Sequence, residues 1–332
     1  MRIQRLLGKI KSKAYRFVDS QSLIDRQAAI NFFKELYRAT EYLYLYVRSQ
    51  KLVVRYFGYG YQPSTEKIEI DITYRCNLSC ANCNRSVGEG QAKSNLDMTV
   101  EQIRTFVDES RAMGRRWKVI KLLGGEPTMH KQLQEILTLL KNYIDQDSPG
   151  TRLELWTNGE GRKVREVLGT LPDYVVVIDS SETRGAEPLF NSFNLAPVDS
   201  PFYKSTDFAH GCSIIEKCGV GLTPYGYYPC AVAGGIDRVV GLNSGTQHLA
   251  DADANMRRQL DEFCRLCGHF RASRSSRNQR KSPTWVEAYS QYKEQKPQLN
   301  VYGSELQKIP VVQAKPSANE STTAVAGSTA RH

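Results

Sequence analysis

Residues 68–84 read IEIDITYRCNLSCANCN. Ile68, Ile70 and Ile72 alternate with Glu69, Asp71 and Thr73, the period-two pattern of a strand. Cys76, Cys80 and Cys83 follow at C-x3-C-x2-C spacing. Thiolates are soft ligands that suit zinc or an iron–sulfur cluster. Three of them on one short loop can hold three corners of a [4Fe-4S] cube and leave the fourth iron open.

Downstream, the pattern of strand, loop and helix repeats. Val119–Leu123 and Leu153–Trp156 read as strands. Tyr174–Ile178 reads as a fourth, apolar enough to be buried on both faces of a parallel sheet. Helices fill the gaps. One runs from about Thr99 to Met113, with Thr99 and Gln102 as a capping box and Ile103, Phe106 and Val107 facing inward. Another carries Leu133, Ile136, Leu137, Leu140 and Ile144 at helical spacing, and a short one lies near 161–169. Such alternation predicts an α/β fold with parallel strands and right-handed crossovers, an α/β barrel or part of one. After residue 180 the alternation fades, and any further strands are expected to be short, near Phe193 to Val198.

Polar motifs stand at the C-terminal ends of the strands. Gly124-Gly125-Glu126-Pro127 follows the second, Thr157-Asn158-Gly159 the third, and Asp179, Ser180 and Ser181 end the fourth. A (β/α) barrel builds its active site on that rim. Together with Cys76, Cys80 and Cys83, these segments resemble the radical S-adenosylmethionine (SAM) superfamily. The resemblance covers about 68–185. It implies a [4Fe-4S] cluster on the three cysteines, with SAM chelating the open iron. Reductive cleavage of SAM then yields a 5′-deoxyadenosyl radical that abstracts a substrate hydrogen. It implies that the Gly124–Pro127 segment contacts the methionine amino group, and that Asn158, Asp179, Ser180 and Ser181 are further SAM contacts. The family usually has an aromatic residue before the third cysteine. Here Asn82 stands there, and its amide can hydrogen-bond the adenine edge. A zinc knuckle is the alternative for the three cysteines alone.

The other five cysteines are Cys212, Cys218, Cys230, Cys264 and Cys267. Gly219–Cys230 reads as a hairpin turning at Pro224-Tyr225-Gly226, with Cys230 ending the return strand. Residues 210–270 resemble the SPASM and twitch extensions of radical SAM enzymes, which carry auxiliary [4Fe-4S] clusters. Five cysteines suffice for one cluster with one to spare, so the twitch form fits better. The spacing of Cys212, Cys230, Cys264 and Cys267 is similar to that of a twitch-bearing dehydrogenase of aminocyclitol biosynthesis, whereas Cys218 fits the SPASM pattern. A structural zinc site is the alternative.

The chain of 332 residues has a formal charge of +10. No apolar run is long enough for a transmembrane helix, and the basic N-terminus lacks the apolar core and cleavage site of a secretory signal. Tight cysteine spacings without an export signal point to metal binding in a reducing cytoplasm rather than to a disulfide framework. Arg2, Arg5, Lys9, Lys11, Lys13 and Arg16 precede a predicted helix over 25–48, with Ile30, Phe33, Tyr37 and Tyr44 on one face. That helix reads as one packed on the main domain, with a membrane or partner surface as the alternative. Arg271, Arg274, Arg277, Arg280 and Lys281 lack an aromatic platform for nucleic acid and read as a solvated stretch. His130 reads as a capping or packing residue, and neither His210 nor His269 is taken as a ligand.

The expected organisation is therefore a helical extension over 1–60, a radical SAM core over 61–205, a cluster module over 206–275, and a C-terminal extension over 276–332 with a disordered tail beyond about 303. The expected function is hydrogen abstraction and oxidation of a peptide or a sugar-like or aminocyclitol metabolite, served by an electron donor such as flavodoxin or ferredoxin. A non-catalytic iron–sulfur or zinc scaffold is the alternative.

Overall fold

The computed structural model describes residues 23–80, 82–88, 92–180, 192–251, 254–271 and 280–304. The alternating isoleucines form strand β1 (Lys67–Thr73), and β2 (Val119–Gly124), β3 (Arg152–Thr157) and β4 (Val175–Asp179) lie parallel to one another outward from it. On the other side of β1 lies β5 (Val220–Thr223), also parallel, followed by β6 (Gly226–Tyr228), antiparallel to β5. The order β4-β3-β2-β1-β5-β6 leaves β4 and β6 as the two edges of an open, mixed α/β sheet.

Ahead of the sheet come α1 (Leu23–Arg48) and α2 (Lys51–Phe57). The crossover helices are α3 (Val100–Ala112), α4 (Leu133–Asp147) and α5 (Arg162–Leu168). The predicted capping box on α3 is present: Gln102 N donates to Thr99 Oγ1 at 3.1 Å and Thr99 N donates to Gln102 Oε1 at 2.9 Å. Ile68, Ile70, Ile72, Ile103, Phe106, Ile136, Leu137 and Leu140 join one core between helices and sheet. Each such side chain contributes about 1.5–3 kcal/mol by leaving water.

Several expectations need correction. β4 is an edge strand among the described residues, with a neighbour on one side only there, and Val176 and Val177 are 39% and 40% exposed. Residues Phe193 to Val198 form no strand. Phe193 and Ala196 are buried in a second core, and Pro197 opens a 3-10 turn. The next strand of the sheet is β5, so the hairpin expected inside a separate module is a direct extension of the main sheet. Its turn is Pro224-Tyr225, with Thr223 opposite Gly226. Cys230 lies beyond β6 as the N-cap of a helix, α7 (Ala231–Val240).

Two short helices, α6 (Ser213–Lys217) and α8 (Arg257–Cys264), flank the later cysteines. The chain then returns to the core, because α9 (Pro283–Glu294) buries Trp285, Tyr289 and Tyr292 against α7 and Phe263. Tyr302 is also buried, its hydroxyl donating to Glu109 Oε2 at 2.7 Å. The tail from 305 onward lies outside the described residues, as do Arg274 and Arg277 of the basic stretch. The end of α1 is docked: Tyr46 donates to the Phe202 carbonyl at 2.9 Å and stacks edgewise on Tyr203, and Gln50 beyond it donates to Thr206 Oγ1 at 3.2 Å. Phe33, Tyr37 and Tyr44 are half-buried, while the side chain of Ile30 lies outside the described ones.

Candidate active site

Cys76, Cys80 and Cys83 sit on the loop leaving the C-terminal end of β1. Asp97 anchors its start, accepting from Thr73 Oγ1 at 2.7 Å and from Arg75 Nε at 2.9 and 3.0 Å. Leu78 N points at Cys76 Sγ at 3.5 Å. Burial pushes the Cys76 thiol up to about 11. Asn82 is buried and takes a φ of 56°, a left-handed conformation that Asn tolerates better than most residues.

The Gly124–Pro127 segment presses on this loop from β2. Gly125 N donates to the Thr73 carbonyl at 2.8 Å and Glu126 N to the Arg75 carbonyl at 2.7 Å. A Cβ on Gly124 would stand 2.0 Å from the Thr73 oxygen, and one on Gly125 2.2 Å from the Arg75 oxygen. Both glycines are therefore demanded by close backbone approach. The Glu126 carboxylate is fully buried and engaged: Oε1 accepts from Thr128 Oγ1 at 2.7 Å and Thr157 Oγ1 at 2.9 Å, and Oε2 accepts from Asn158 N at 2.8 Å. It ties the ends of β2 and β3 together.

Asn158 in turn donates to Asn77 Oδ1 at 2.9 Å and points its amide at Cys76 Sγ at 3.9 Å. Asp179 stands over Gly159, and Ser180 Oγ donates to the Thr157 carbonyl at 2.7 Å. Ser181 lies outside the described residues. His130 is structural, its Nε2 2.7 Å from the Met98 carbonyl and its Nδ1 accepting from Gln132 N at 3.0 Å.

Cys212, Cys230, Cys264 and Cys267 line one small cavity, otherwise walled by apolar side chains and His269. Burial pushes the Cys230 and Cys264 thiols well up and Cys267 up to about 12. Cys218 is not on that cavity. It lies beside Glu69 and Lys121, and burial pushes its thiol up to about 12. Among the described residues, no three Cys, His, Asp or Glu side chains close on a single ion.

A charged layer on the second face of the sheet escaped the sequence reading. Arg85 is buried and pairs with Asp71 at 3.1 Å and Glu69 at 3.2 Å, and Lys121 lies 3.4 Å from Glu69. Glu154 accepts from Trp156 Nε1 at 2.7 Å. Arg238 was missed as well. From α7, whose N-cap is Cys230, its buried guanidinium donates to the carbonyls of Ala92 at 2.7 Å, Arg85 at 2.8 Å and Ser86 at 3.1 Å, and packs 4.6 Å from the Tyr74 ring centroid. One rigid helix thus joins the second cysteine group to the loop after Cys83. Replacing Arg238 with Leu strands those carbonyls, and Tm is expected to fall by about 5–10 °C. An unchanged Tm in a thermal unfolding scan would show that this clamp carries no stability.

Residues 70–178 match the Radical SAM superfamily. The chain carries a radical SAM domain. Its relatives include a probable GTP 3′,8-cyclase of Pyrococcus horikoshii, 40% identical over 92 residues, which are 28% of this chain and 26% of that protein. Another, from Sulfolobus acidocaldarius, is 29% identical over 113 residues, 34% of this chain and 32% of that one. The chain thus spans only about a quarter to a third of the length of these curated relatives. Among solved structures, BtrN in complex with AdoMet and 2-DOIA aligns over 65% of this chain and 96% of that one at 17% identity, with a TM-score of 0.38. Streptococcus suis SuiB bound to precursor peptide SuiA aligns over 48% of this chain and 30% of that one at 13% identity, with a TM-score of 0.25. Likenesses this shallow say nothing of the substrate.

The cofactors of a radical SAM domain are a [4Fe-4S] cluster and SAM, and the residues present fit them. Three thiols share one short loop, and the backbone of Gly124 and Gly125 runs against the residues just before Cys76.

Proposed function

We propose that this protein is an oxidising radical SAM enzyme, with a SAM-cleaving centre at Cys76, Cys80 and Cys83 and an electron-accepting [4Fe-4S] centre at Cys212, Cys230, Cys264 and Cys267. When bound, the reduced cluster of the first centre supplies the electron that splits SAM into methionine and a hydrogen-abstracting 5′-deoxyadenosyl radical. Gly124 and Gly125 hold the methionine end close to the cysteine loop, and Glu126 keeps Asn158 beside Cys76. Asn82, Asp179, Ser180 and Ser181 complete the SAM contacts. The substrate is a peptide or a sugar-like or aminocyclitol metabolite. Loss of one hydrogen atom leaves a substrate radical that must still give up one electron and one proton; a cluster held by Cys212, Cys230, Cys264 and Cys267 would accept the electron, and solvent the proton. A flavodoxin or ferredoxin type of donor reduces the first centre.

The observation that carries this reading is the grouping of four thiols around one apolar cavity, apart from the three on the β1 loop. Among the described residues no three of these thiols close on a single ion, which favours a cluster over a tetrahedral zinc site. The nucleotide-cyclising activity in the names of the archaeal relatives is a second reading, favoured by their identity over 92 residues.

The test is anaerobic reconstitution followed by reduction with SAM and, separately, a peptide pool, an aminocyclitol and GTP. We expect 5′-deoxyadenosine in every case, and a product two hydrogens lighter than its substrate for the peptide or the aminocyclitol. Iron-replete protein that never yields 5′-deoxyadenosine rejects the radical centre. A GTP product of unchanged mass, with the other substrates untouched, selects the cyclising reading.

A further inference from the structure

The strongest feature outside the proposed site is the surface of α1 and α2. Phe32, Leu36, Leu43 and Val47 are 65%, 49%, 63% and 44% exposed. At 3.6 residues per turn they fall within an arc of about 60° on α1. Phe33, Tyr37 and Tyr44 widen the apolar and aromatic side to about 140°; Glu35, Glu41 and Arg48 fall outside it, and Asp25 and Arg26 of the first turn fall within it. On α2, Val54 turns inward and is buried, while Leu52, Tyr56 and Phe57 are 70%, 82% and 76% exposed. Lys51 and Arg55 are exposed beside them. Phe202, whose carbonyl receives the Tyr46 hydroxyl, is 73% exposed.

Positive charge is concentrated in the same part of the sequence, six of its basic residues on α1 and α2 and six on 1–22, outside the described residues. Residues 1–57 contain twelve Lys or Arg against four Asp or Glu, so eight of the ten net positive charges lie there. The remaining residues are close to neutral.

We propose that α1 and α2 form a surface that lies on an anionic lipid bilayer, with the apolar arc of α1 and the outward side of α2 in the interface and the basic residues toward lipid phosphates. An interfacial helix needs a wide apolar face and flanking cations, and it need not span the bilayer. No described helix is long and apolar enough to span one. A second copy of the chain would bring an equal positive charge against the first, whereas an anionic bilayer neutralises it. Nucleic acid would also neutralise it, but would leave Leu36, Leu43, Val47 and Leu52 without an apolar environment. The surface is independent of the chemistry proposed above, and its test reads neither SAM cleavage nor product.

The experiment is co-sedimentation of the full iron-loaded chain with vesicles of phosphatidylcholine alone or mixed with phosphatidylglycerol. We expect at least about tenfold tighter binding to the anionic vesicles at about 0.1 M salt, most of it lost at about 0.5 M. The double variant Leu36→Glu with Leu43→Glu should lose at least about tenfold while keeping its iron content and far-UV circular dichroism. Equal binding to both vesicles, or equal binding by the variant, overturns the proposal. So does a mass in solution twice that of the chain which the same variant halves while vesicles are ignored, because the face would then join two copies.

Discussion

Replacing Cys76, Cys80 and Cys83 together by Ala is expected to remove 5′-deoxyadenosine formation, a loss of at least about a thousandfold, and to leave about four irons per chain. The two parts of that result have separate causes. The three thiols are the soft donors on the loop leaving β1, and Asp97, Gly125 and Glu126 hold that loop by hydrogen bonds independent of the sulfurs. Its backbone should therefore persist without them. The second cysteine group lies on other elements, so its iron should remain. Chromatography of the nucleoside and elemental analysis of the protein read the two parts separately. Iron falling to none would mean that the second group holds no cluster of its own. Nucleoside formation surviving would exclude the β1 loop as the cleavage centre.

The second large effect separates two cysteines only six positions apart. Cys212→Ala is expected to lose about four irons and the oxidised product, while SAM cleavage without product continues. Cys218→Ala should keep both metal sites. The reason is placement: Cys212 shares a cavity with Cys230, Cys264 and Cys267, whereas Cys218, at the opposite end of α6, lies beside Glu69 and Lys121. Iron analysis and product mass on the two single variants decide it. The reverse ranking would move the ligand role to Cys218, and equal losses would mean that both thiols reach the cluster.

Much of the core was legible. β1 and α3 are read from isoleucine alternation and a capping box because those signals are local: each side chain reports on neighbours within four residues. The cysteine loop is legible for the same reason. The charged layer was not. Glu69 and Asp71 alternate with isoleucines and so suggest a wet face, yet both are buried, because Arg85 from the loop and Lys121 from β2 neutralise them across the sheet. A parallel sheet is usually covered on both faces, and that was the signal to use. β4 shows the opposite error, where an apolar run at the edge of the described sheet stayed half-exposed.

By itself the sequence determined the parallel α/β core, the three-thiol loop and the motifs on the strand ends. These depend on spacing along the chain, which covalent geometry carries directly into space. Only the tertiary structure decided that β5 pairs with β1 across about 150 residues of chain, that Glu126 joins two strands, and that Arg238 ties the helix after Cys230 to the loop after Cys83. It also separated Cys212 from Cys218. Each of these is a contact between distant residues whose partner is chosen by burial and charge compensation, and no local pattern records which partner that will be.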